Sequence, residues 1–149
     1  MNLRKYRYSV SDTYLDYEFD SEGPRGRIRK IVRYRPRDID GITYVNLGFG
    51  DLDPKTGRID DLVITNNQDR DLILATVAAT VLEFTGRFPD ATVFAMGSTP
   101  ARTRLYQIGI AIHWNEIEPL LHISGYEQNE GWQPFRRGVN YKAFLITRK

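Results

Sequence analysis

The chain reads as an α+β fold, a mostly antiparallel sheet of about six to seven strands packed against two principal helices. Three observations predict it. Residues 14–20 and 26–34 alternate with the period of half-buried strands. The apolar run from Leu72 to Phe84 is long enough for a core helix. Ala101, Leu105, Ile108 and Ile112 then repeat at helical spacing behind the capping-type segment Gly97-Ser98-Thr99-Pro100.

In the first alternating segment Leu15, Tyr17 and Phe19 share one side and Asp16, Glu18 and Asp20 the other, after which Ser21-Glu22-Gly23-Pro24 reads as a turn. From Gly26 to Tyr34 the alternation resumes, with Ile28, Val32, Tyr34 and Lys30 on one face and Arg27, Arg29, Ile31 and Arg33 on the other. Matching apolar face to apolar face gives a hairpin in which Asp20 opposes Arg25, Glu18 opposes Arg27 and Asp16 opposes Arg29. On that register Arg33, Arg35 and Arg37 extend beyond the acidic strand without compensation.

Ile42 to Asp51 and Arg58 to Thr65 form the next strands, joined by the loop Asp53-Pro54-Lys55-Thr56-Gly57. Calcium is rejected at this loop, because Thr56 stands where an EF-hand needs glycine and Leu62 where it needs a bidentate Glu. Thr65-Asn66-Asn67-Gln68-Asp69 supplies N-cap candidates for the core helix, which closes near Gly86. Thr92 to Met96 is a short buried strand and Pro100 to Ile112 the second helix. His122 to Tyr126 and Tyr141 to Thr147 are the last strands, separated by an aromatic loop with Trp132 and Phe135.

Length, composition and charge bound the function. At 149 residues the chain suits a single domain over 1–149. No cysteine is present, which excludes disulfides, thiolate metal sites and thiol nucleophiles. The apolar stretches are too short or too interrupted for a membrane span, and Met1-Asn2-Leu3-Arg4-Lys5 has no signal-peptide character. No membrane association is expected, and a cytoplasmic location follows as the default. The net charge of +2 is segregated: residues 1–37 carry ten Lys/Arg against five Asp/Glu, residues 38–99 four against ten, and residues 100–149 seven against four.

One segment stands out as a candidate anion site. Gly97, Ser98, Thr99, Arg102, Thr103 and Arg104 place a glycine, hydroxyls and two guanidinium groups at a helix start, where amides and dipole attract anions. The plainer reading has Ser98 and Thr99 capping the helix and the arginines on its solvated side. The segment lacks a Walker lysine and a dinucleotide glycine triplet, so no cofactor is assigned. A second polar cluster, Asp60, Asp61, Asn66, Asn67 and Asp69, has the chemistry to hold magnesium beside a phosphate, but capping accounts for the same residues and no metal is assigned. His113 and His122 have no catalytic partner at a recognisable spacing. Tyr6, Tyr8, Tyr14, Tyr34, Tyr44, Trp114 and Trp132 offer stacking surfaces beside Arg33, Arg35 and Arg37, although strand aromatics are more often packing residues.

Several of these stretches resemble a bacterial family known only as a domain of unknown function. They are Ser21-Glu22-Gly23-Pro24, Asn46-Leu47-Gly48-Phe49-Gly50-Asp51, Thr65-Asn66-Asn67-Gln68-Asp69, Leu74-Ala75-Thr76-Val77, Phe88-Pro89-Asp90, Gly97-Ser98-Thr99 with Ala101-Arg102-Thr103-Arg104-Leu105-Tyr106, and Tyr141-Lys142-Ala143-Phe144-Leu145. The resemblance implies a small standalone domain and brings no activity, cofactor or catalytic residue.

Three functions remain open on the sequence. The first is a binding module for a phosphate-bearing ligand or nucleic acid at Gly97–Arg104. The second is an enzyme acting on a phosphorylated or nucleotide substrate, which requires Arg102 and the carboxylate cluster to face one cleft. The third is a protein–protein interaction module using an edge strand or the Trp132–Phe135 loop.

Overall fold

The computed structural model describes residues 4–60 and 66–149. In chain order its elements are β1 (Ser9–Val10), β2 (Asp16–Gly23), β3 (Gly26–Ile39), β4 (Ile42–Leu52), β5 (Ile59–Asp60), α1 (Arg70–Arg87), β6 (Val93–Ala95), α2 (Pro100–Ile112), α3 (Trp114–Ile117), β7 (Leu121–Glu127), β8 (Gly131–Pro134) and β9 (Phe144–Arg148). The strands form one sheet in the order β1-β2-β3-β4-β6-β9-β7-β8, with β5 pairing β4. Among the described residues only β4 and β6 pair in parallel, because α1 lies between them as a crossover. The fold is therefore α+β as read. The sheet is larger than the sequence suggested, since it gains the two-residue β1 and the aromatic loop contains β8, paired to β7; of the strand expected over Arg58 to Thr65, β5 is the described part, and residues 61–65 lie outside the described residues.

The β2–β3 hairpin differs from its expected register. The strands run on to Gly23 and from Gly26, leaving Pro24 and Arg25 as the loop, so Asp16 opposes Arg33, Asp20 opposes Arg29 and Glu22 opposes Arg27. The slip is an even number of residues, which preserves the faces: Tyr17, Phe19, Val32 and Tyr34 are all buried. It also changes the charge map. Asp16 accepts from Arg33 at 3.0 Å and pairs with Arg35 at 3.0 Å, so of the three arginines expected to be uncompensated only Arg37 makes no ion pair among the described residues.

The helices cover one face of the sheet. Tyr34 stacks on Phe84 of α1 with centroids 4.1 Å apart, and Val32, Leu47, Val93, Ala95, Ile123, Phe144 and Ile146 complete the sheet side of the core. Buried Thr76, Thr80 and Thr85 of α1 donate to carbonyls three or four residues earlier in the helix, which satisfies their hydroxyls inside the core. On the opposite face Gly50 is required, because a Cβ there would lie 2.6 Å from the Asp60 carbonyl oxygen of β5. Phe135, expected in the aromatic loop, is buried against Trp114, Tyr141 and Phe144.

Candidate functional site

The start of α2 is built largely to cap itself. The Thr99 hydroxyl accepts from the Arg102 amide at 3.2 Å, and the Thr103 amide donates to the Thr99 carbonyl at 3.1 Å. The Thr103 hydroxyl accepts from the Gly97 amide at 3.0 Å, closing the strand end onto the helix. Pro100 brings no N–H to this turn. Gly97 is needed for close approach, since a Cβ would stand 2.3 Å from the Arg102 Cβ and 2.6 Å from the Thr103 amide nitrogen. Gly97, Ser98, Thr99, Thr103 and the exposed Arg104 border one hollow together with Lys142. Arg102 points elsewhere, being 6% exposed.

Arg102 lines a cleft of about 320 Å³ between the starts of α1 and α2. Lys30, 5% exposed, reaches the same cleft from β3 and forms a short ion pair with Asp51 of β4. The remaining walls are Asn66, Asn67, Gln68, Asp69 and Arg70 at the start of α1, with Phe49, Ile73, Leu74 and Leu105 as the apolar part. Sequence reading placed Lys30 on the apolar face of its strand without drawing a consequence. Arg102, Asn66, Asn67 and Asp69 were candidates on the sequence, and for Lys30 the signal was a lysine among Ile28, Val32 and Tyr34.

The α1 end of the cleft explains the second polar cluster. Asp69 occupies the N-cap position but makes no side-chain cap. Its carboxylate instead accepts from the Tyr6 hydroxyl at 2.6 Å and the Ser21 hydroxyl at 2.5 Å. Burial, and then this hydrogen bond to Asp69, raises the Tyr6 pKa, so Tyr6 stays protonated as the donor. Asn67 stitches the β2–β3 turn to α1, donating to Ser21 Oγ and the Gly26 carbonyl and accepting from the Arg25 amide. The first turn of α1 thus borders the cleft without a side-chain cap and carries the acidic Asp71. Asp60 is exposed on β5, away from this cleft, and Asp61 lies outside the described residues.

The condition set for the enzyme reading is met in part: Asn66, Asn67 and Asp69 share a cleft with Arg102. Among the described residues Asp69 is the carboxylate lining it, and one oxygen already serves two hydroxyls. Among the described residues no group of three or more His, Asp or Glu converges as a metal set.

A family model described as a family of unknown function, DUF6934, matches residues 2–149. The chain belongs to that family. No curated protein and no solved structure matches it, so the cleft has to be read from its own geometry.

Elsewhere the sequence candidates are structural. Tyr34 is fully buried, Tyr6 stacks on Phe19, and Tyr14 lies under the Arg87 guanidinium at 3.7 Å. His113 is buried at the end of α2, and His122 is exposed on β7. On the sheet face opposite the helices Trp132 and Tyr126 are exposed, their rings 5.3 Å apart, and Phe94 packs edge-on to Trp132. No helix among the described residues is long and apolar enough to cross a membrane.

Proposed function

We propose that this protein is a binding module for a small phosphate-bearing ligand seated between the starts of α1 and α2. One observation carries the reading: Lys30 and Arg102, two cations more than nine-tenths buried and drawn from different elements, line a single cleft. Lys30 is already held by Asp51, and an anion in the cleft would meet both cations in a site where screening by water is weak. Lys30 supplies a compact charge and Arg102 a planar fork of donors, a combination suited to phosphate oxygens. The uncapped first turn of α1 adds backbone amides of the same polarity.

The size of the cleft and the pairing of the outer-face arginines with Asp16, Glu18, Asp20 and Glu22 favour a small ligand over a nucleic-acid strand. The Gly97–Arg104 segment contributes through Arg102, while Thr99 and Thr103 serve the helix itself.

The test is titration calorimetry with inorganic phosphate on the wild type and three variants. Arg102→Met and Lys30→Met should each weaken binding by about tenfold or more, the worth of one charge-assisted hydrogen bond, whereas Arg104→Ala should leave it nearly unchanged. Absence of phosphate binding, or a loss confined to Arg104→Ala, would refute the assignment.

A further inference from the structure

We infer that the sheet face opposite the helices docks a second copy of this chain, the tip of the β3–β4 hairpin of each copy seating against the Trp132–Tyr126 patch of the other. The hairpin projects as an arm. β2 pairs with β3 only as far as Arg33 and β6 meets β4 at residues 45–47, so from Arg35 to Tyr44 the two strands are flanked by no other strand. Every residue from Arg35 to Thr43 is exposed. Asp40 and Gly41, both at positive φ, form the two-residue turn that closes the arm on the facing pair Ile39 and Ile42. These two are 39% and 56% exposed, an apolar tip on a two-stranded ribbon that no third strand supports.

The arm does not offer a strand edge. A two-residue turn makes Ile39 and Ile42 a hydrogen-bonded pair, so Pro36 and Asp38 turn their backbone groups outward, as Tyr34 does in donating to the Leu15 carbonyl. Pro36 has no N–H to give there, which blunts the edge against an added strand and leaves contact to the side chains. The β3–β4 register is unbroken from Lys30 to Ile39, which puts Arg37, Ile39, Ile42 and Tyr44 on the same face as Phe94, Tyr126 and Trp132. That face therefore carries two exposed apolar patches, the isoleucine pair on the arm and the Trp132–Tyr126 pair at the β8 edge. The charges beside them are opposite: Arg37 neighbours the isoleucines, and Glu127 and Glu130 stand at the turn from β7 to β8. None of these three makes an ion pair among the described residues. Two patches that complement each other on one face suit an isologous two-fold pair, in which each arm meets the other copy's patch and both contacts form together. A partner of another kind would have no need of its own complement on this chain.

Sedimentation equilibrium of the full chain tests this, and since the cleft lies on the helix side of the sheet the result is independent of phosphate binding. The wild type should dimerise with a dissociation constant below about 1 mM. Ile42→Glu and Trp132→Ala alter exposed side chains, so both should stay folded by circular dichroism. Each should raise the dissociation constant by about 100-fold, because two-fold symmetry counts every loss twice. An equimolar mixture of the two variants should form a heterodimer about tenfold tighter than either homodimer, since one arm and one patch remain intact and can meet. A wild type that stays monomeric, a dimer that neither variant weakens, or a mixture no tighter than its parents would overturn the inference, whether or not the face binds a different protein.

Discussion

Lys30 and Arg102 approach one cleft from two directions, Lys30 from the helix-covered face of β3 and Arg102 from the first turn of α2. Neither position means much alone. A buried lysine on a strand and an arginine after a capping threonine are each explicable locally, and only the docking of α2 onto the sheet brings them together.

The Lys30–Asp51 pair also supports the fold. Removing the ammonium as Lys30→Met takes one partner from a carboxylate that is itself only 18% exposed, so the variant should lose about 1–3 kcal/mol of stability. Urea denaturation measures this, and a loss below about 0.5 kcal/mol would mean that the pair is dispensable.

Asp69 should behave as a buried acceptor. Asp69→Ala takes the acceptor of the Ser21 hydroxyl and the nearer of the two acceptors of the Tyr6 hydroxyl, and should cost about 1–3 kcal/mol, whereas Asp69→Asn retains a carbonyl oxygen and should recover part of it. An equal loss in both variants would show that the charge matters more than the hydrogen bonds.

Two buried tyrosines should respond oppositely to losing their hydroxyls. Tyr34 shares a hydrogen bond with Thr80 at 3.0 Å, and Tyr34→Phe should cost about 1 kcal/mol. Among the described residues the buried Tyr17 hydroxyl has no hydrogen-bond partner, so Tyr17→Phe should be neutral or stabilising by up to about 1 kcal/mol. Equilibrium unfolding of the two variants decides the contrast.

Acid sensitivity should localise to Asp16. Burial raises its pKa, but hydrogen bonds from Arg35 and Arg33 outweigh this and hold the carboxyl below its ordinary value of 3.8. A carboxylate with a depressed folded-state pKa stabilises the fold above its unfolded value, and that stabilisation disappears as pH falls through the folded value. Asp16→Asn should therefore be less stable than wild type at neutral pH, with the difference shrinking below about pH 4. A constant difference from pH 7 to pH 2 would contradict the pairing.

Much of this architecture was legible in the sequence because it follows from local periodicity. The faces of β2 and β3 were readable from alternation, and α2 from Thr99 and Pro100 at its start. The register was not, because apolar matching is blind to an even-numbered slip and the tight Pro24-Arg25 loop decides it. For the same reason Arg33 and Arg35 looked free although Asp16 meets both. Arg102 was singled out, but its separation from Arg104 depends on which side of the first helical turn packs inward. Lys30 was visible only as a misfit on an apolar face.

Backbone amide NMR during titration with inorganic phosphate tests the cleft most directly. The account predicts that shifts concentrate at residues 66–73 and at Arg102, and that Lys30→Met abolishes them while remaining folded by its spectrum. Shifts confined to Gly97–Thr99 and Arg104, or none at saturating phosphate, would contradict it.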